Sequence, residues 1–241
     1  FTVAVSNVEF KNTRFINANT TANGGALFLN AGVNHVTISK CSFESNHADS
    51  YGGAIYHEGQ GNNIMIYDTV FDKNTAADGG AIQLYASYST PYTYIEISGC
   101  NFTNNRGSNG GAIYLTEAAA TSTVTNSRFI SNHADNAAGA IYCNSNNAKF
   151  INNTFSNNKA TQISGGALYI HGNNNIISYT DIEDCYAYSK GGAICIDGDD
   201  NQIIFSTINN CQAESGAGAI YARGGNFLLD SNNITNNKAK D

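Results

Sequence analysis

The stretch VTISKCSFESNHADSYGGAIYH, residues 36–57, decides how this chain folds. Val36-Thr37-Ile38 alternates apolar and polar residues. Cys41-Ser42-Phe43 alternates in a shifted parity, and Ala54-Ile55-Tyr56-His57 alternates again. Period-two alternation marks a strand with one buried face, and the change of parity near Lys40 marks a bend between the first two strands. A Gly/Asn-rich run around Gly59 then makes a turn, with equivalents at Gly172, Gly198 and Gly224.

The same order of residues recurs through the chain. A small-Gly-Ala-aliphatic motif has its Ala at 26, 54, 81, 112, 140, 167, 193 and 219, at intervals of 28, 27, 31, 28, 27, 26 and 26 residues. Before it comes an anchor at Phe15, Phe43, Phe71, Phe102, Phe129, Phe155, Ile182, Ile208 and Ile234. Asn follows three residues after the anchor in most copies, with Ala18, Cys185 and Cys211 as exceptions. An apolar residue (Phe10, Ile38, Ile66, Ile97, Val124, Phe150, Ile177, Ile203 or Leu229) stands five residues before it.

Three short strands per ~27 residues without a helix predict an all-β solenoid: a right-handed single-stranded parallel β-helix of about nine coils. A coil cannot bury its apolar side alone, but stacked coils enclose a continuous core. Nine rungs at ~4.8 Å give a rod roughly 43 Å long. A β-propeller blade needs four antiparallel strands in ~40 residues or more, which this period excludes. Residues 1–241 are expected to form one domain, a piece of a longer surface protein, because Phe1 already sits within a strand pattern.

Composition narrows the function. Charged residues are only 13%, and the net charge of -7 argues against nucleic acid and anionic lipid, which need a Lys/Arg surface. No apolar run approaches the ~20 residues of a membrane helix, so direct membrane insertion is not expected. The five His (35, 47, 57, 133 and 171) show no metal spacing and are expected at the surface. The turn Asp197-Gly-Asp-Asp-Asn201 could ligate a cation, but neighbouring rungs add little negative charge. A glycosidase needs two carboxylates at defined separation, and the only adjacent Asp pair is Asp199-Asp200. Neither a cofactor nor a metal is expected, and the chain is not expected to be an enzyme.

Stacked copies turn each position into a column. Asn three residues after the anchor is expected at a corner, bonding the backbone and the Asn above and below. Gly-Gly before Ala permits φ > 0 or tight backbone approach. The position after the first core residue of the third strand faces outward and holds Phe28, Tyr56, Gln83, Tyr114, Tyr142, Tyr169, Cys195 and Tyr221. An exposed column containing Tyr114, Tyr142 and Tyr169 suits sugar faces or protein partners, although Tyr is also simply a good strand residue. The 31-residue interval places Tyr85, Tyr88, Tyr92 and Tyr94 around Pro91, either as a ligand-contacting loop or as a packed one. Cys185 and Cys211 occupy one position on adjacent coils, within disulfide reach or as stacked free thiols.

Gly-Gly-Ala-Ile alternating with Phe-x-x-Asn resembles the repeats of chlamydial polymorphic outer-membrane proteins and of methanogen adhesin-like proteins. Phe155-Ser-Asn-Asn158 followed by Gly165-Gly166-Ala167-Leu168 carries the resemblance well. It implies a β-helical passenger or stalk at the cell surface, used for attachment, and it brings no catalytic residues. The resulting expectation is an extracellular, monomeric adhesin segment whose partner is a cell-surface glycan or protein. A purely structural stalk and a carbohydrate-active enzyme are the alternatives.

Overall fold

In a computed structural model, which describes residues 1–59, 63–85, 94–116 and 121–240, the chain winds into a parallel β-helix. Three sheets hold nine strands each, and within each sheet the strands follow chain order. In the coil of residues 36–57, Val36–Ser39 belongs to sheet B, Ser42–Glu44 to sheet C and Ile55–His57 to sheet A. Every named pairing is parallel and joins equivalent repeat positions, such as Phe71 with Phe43 on one side and Phe102 on the other.

The coil has four strands, not three. His47–Ala48 forms a short strand after the Asn corner, and its equivalents at Arg106–Asn109, His133–Ala137 and Lys159–Ala160 build sheet D. In most coils this strand is only two residues long, too few to display an alternation. Its small inward side chain is Ala48, Ala134, Ala160, Ala187 or Ala213, all buried.

Corners explain the composition. The coil bends at His35, Lys40, Ser45 and Gly52, with φ of 54°, 52°, 54° and 61°. Left-handed backbone favours Gly and the short polar Asn and Asp. Asn accordingly fills such corners at 12, 17, 104, 126, 152, 157 and 236. The two glycines of the repeat have separate jobs. Gly110 is in the left-handed region, at φ 63°. Gly111 is not, but a Cβ there would lie 2.1 Å from the Gly139 carbonyl oxygen on the next rung. That contact explains why the second Gly is kept where the first becomes Ala138.

The interior is a set of side-chain columns. Phe15, Phe43, Phe71, Phe102, Phe129 and Phe155 stack with ring centroids 4.7 to 5.0 Å apart and planes within 9° of parallel. All but the first are fully buried. Burying one such ring is worth roughly 1.5–3 kcal/mol.

Beside them runs the predicted amide ladder. Asn74 Oδ1 accepts from Asn46 N at 3.1 Å and Asn46 Nδ2 at 2.9 Å, and Asn74 Nδ2 donates to the Phe43 carbonyl. Asn105, Asn132 and Asn158 repeat the pattern. A second polar ladder stands at the corner between sheets B and C. There Cys41 N donates to Thr69 Oγ1, Cys100 N to Ser127 Oγ and Ser127 N to Asn153 Oδ1.

Candidate ligand-binding faces

Sheet A turns its middle residues away from the core, as alternation requires, but the expected exposed aromatic column is covered. Tyr56, Gln83 and Cys195 are buried, and Tyr114, Tyr142, Tyr169 and Tyr221 are half-buried. In two coils the residue before the Gly-Gly pair supplies cover: the Tyr51 ring lies 6.0 Å from that of Tyr56, and Lys190 Nζ sits 4.4 Å above the Tyr221 ring. Burial pushes the phenols of Tyr56 and Tyr142 up to about 12, so both stay neutral at ordinary pH.

The rings also cover one another. Tyr142 and Tyr169 stack at 5.1 Å and 5°, while Tyr114 and Tyr142 lie 4.9 Å apart, tilted by 43°. Faces turned to the next rung are unavailable to a sugar ring, so this column presents mainly ring edges and hydroxyls.

Two carboxylates of the acidic turn, Asp197 and Asp199, are engaged within the fold, while Asp200 stays exposed. Asp197 is almost covered, takes Arg223 Nε at 2.9 Å on one oxygen and Arg223 Nη2 at 2.9 Å on the other, and accepts a hydrogen bond from the Tyr169 hydroxyl. Burial first, and this hydrogen bond second, raise Tyr169 above the usual phenol range. Asp199 accepts from Gly225 N at 2.6 Å.

The lengthened interval gives a different picture. Tyr85 and Tyr94 are both 42% exposed at its two ends. Tyr94 and Tyr67 donate their hydroxyls to Glu96 at 3.2 and 2.8 Å. Tyr88 and Tyr92 lie outside the described residues.

Cys185 and Cys211 replace Asn on consecutive rungs of the amide ladder. Both are buried free thiols, as are the other four cysteines. Asn158 Nδ2 points at Cys185 Sγ from 3.9 Å, and burial pushes the Cys185 thiol up. Alkylation in denaturant without reductant should therefore modify six thiols. An intact mass showing only four modified would mean a bridge.

His57 is not at the surface. It is fully buried in the core column between Leu29 and Leu84, and neither ring nitrogen has a hydrogen-bond partner among the described residues. Alternation had pointed the position inward, and only the residue type suggested otherwise.

One surface feature breaks the pattern of the repeat. Tyr179 and Phe205 occupy the left-handed corner between sheets B and C, where other rungs carry Asn12, Lys40, Asp68, Gly99, Asn126, Asn152 and Ser231. Two bulky rings in a column of turn residues were the available signal.

A family model described as right handed beta helix region matches residues 2–155. A second, described as Chlamydia polymorphic membrane protein repeat, matches residues 154–171. No curated protein and no solved structure matches the chain.

Proposed function

The chain belongs to the right-handed β-helix family, and from that premise we propose that it is a surface-displayed adhesin segment. The polymorphic membrane protein repeat at 154–171 supports a passenger-like, surface-associated region. Attachment is the finer reading. Its carrying observation is the pair of exposed tyrosines, Tyr85 and Tyr94, that bracket the one lengthened interval of an otherwise regular rod. Solenoid insertions gather on one face and often meet the ligand there.

A hydrolytic role finds less support. The outward carboxylates of Asp181 and Glu183 come from a single strand with uncharged neighbours on adjacent rungs, and the pair that does stack on adjacent rungs, Glu44 and Asp72, is engaged by Ser42 and Arg14 and by Thr103 and Asn104.

Replacing Tyr88 and Tyr92 by Ala should weaken attachment to target cells about tenfold, the effect of losing a central aromatic contact. The circular dichroism spectrum should not change. Unchanged attachment would remove Tyr88 and Tyr92 from the contact surface, and a chain that binds no cell type at all would be a spacer.

A further inference from the structure

Tyr179 and Phe205 hold φ of 50° and 51°. A bulky residue rarely adopts that backbone, and strain of this kind gathers where function maintains it. Their side chains gain little burial in return: Tyr179 is 59% and Phe205 48% exposed. The rings stack at 5.2 Å and 13°, forming an aromatic ridge along the rod. On the next rung the equivalent corner is Ser231, too small to cover the outer Phe205 face.

Two residues beyond each ring, past the corner, the chain enters the outer face of sheet C at Asp181 and Thr207. A shallow depression of about 490 Å³ lies there, lined by Asp181, Glu183, Thr207, Asn209 and Asn233. The ridge thus lies two residues along the chain from a strip of hydroxyls, amides and carboxylates repeated on successive rungs.

We propose that the Tyr179–Phe205 ridge and the depression beside it form a binding site for a neutral oligosaccharide. A pyranose ring offers one apolar C–H face, which packs on an aromatic surface, and a rim of hydroxyls. Those hydroxyls find donors and acceptors in Thr207, Asn209 and Asn233, while the two carboxylates accept from them. The same carboxylates repel uronic and sialic acids, which fixes the charge class of the ligand. Rungs repeat every ~4.8 Å, so successive sugar units can follow the axis of the rod. This site is separated from the Tyr85–Tyr94 segment by sheet B and stands independently of it.

The decisive variant is Tyr179→Asn combined with Phe205→Asn. Asn is the residue at the two preceding rungs of this corner, Asn126 and Asn152, where Asn152 Nδ2 donates to Asn126 Oδ1 at 2.7 Å. The backbone thus accepts the change without strain. On a panel of neutral and anionic hexasaccharides, the native chain should bind neutral members. The double variant should bind them about tenfold more weakly, as loss of one ring-stacking contact implies, while melting at an equal or higher temperature. The Tyr88→Ala/Tyr92→Ala variant should keep this binding, which separates the site from cell attachment. Unchanged binding by the double variant, binding of anionic members only, or no binding of any neutral member would overturn the proposal. A lower melting temperature would do the same, since the ridge would then be a structural stack.

Discussion

Asn105→Ala should cost at least about 3 kcal/mol of stability, since three buried groups are left unpaired at about 1–3 kcal/mol each. Asn105 Oδ1 accepts from Asn74 N at 2.9 Å and Asn74 Nδ2 at 3.0 Å, and its Nδ2 donates to the Phe71 carbonyl and to Asn132 Oδ1. Truncation strands the Asn74 N–H, one Asn74 side-chain hydrogen and the Phe71 carbonyl where water cannot replace the amide. Asn105→Asp keeps the shape but loses both donations and buries a charge, so it should be at least as damaging near neutral pH. Urea melts of the three proteins test this. A loss below about 1 kcal/mol for the Ala variant would mean that the ladder is decoration on a fold held by its apolar columns.

The second large effect depends on pH. Burial drives His57 from its ordinary 6.5 down to about 4. The folded protein therefore keeps the ring neutral where the unfolded chain would protonate it. Above pH 6.5 both states are neutral and the linkage costs nothing. Between 6.5 and about 4 the unfolded chain binds the extra proton, and stability falls as the pH falls. The full loss, reached below about 4, is on the order of 3 kcal/mol.

His133 is held low too, by burial and by Arg106, so the whole-protein curve is a composite. The difference between native protein and His57→Leu isolates one group. Leu is already the residue on both adjacent rungs, Leu29 and Leu84, so the variant should be more stable at pH 7 and lose part of the acid sensitivity. Glu44 and Glu214 are held below the usual carboxylate range by hydrogen bonds from Ser42 and Lys240, so their contributions fail only at lower pH. Parallel stability curves for the two proteins between pH 7 and 4 would refute the assignment.

The repeat made the fold legible because each inward column keeps one kind of side chain, apolar or amide, in most of the nine coils. Phe43, Phe71 and Phe102 had to align once the period was read, and the Asn ladder followed from the same spacing. Sheet D stayed hidden because most of its strands are two residues long and have no period. Exposure was the weaker inference. Alternation gives the direction of Tyr56 and Tyr142, but the cover over them comes from segments such as Tyr51, whose position depends on a neighbouring stretch of backbone. At His57 two local signals disagreed, and strand geometry prevailed over polarity. Tyr179 and Phe205 were readable only by asking which residue types a left-handed corner tolerates.

The paired left-handed corners and the amide ladder also make part of each coil a ruler. Eight residues separate Phe10 from Ala18, Ile38 from Asn46, Ile97 from Asn105 and Leu229 from Asn237, with no variation among the nine coils. The path from the ladder to the next Ala, and from that Ala back to sheet B, absorbs every change in repeat length. Evolution can thus lengthen this molecule by whole coils, or embroider it at those two seams, without disturbing the register of the rest. New surface can arise there while the spine stays unaltered.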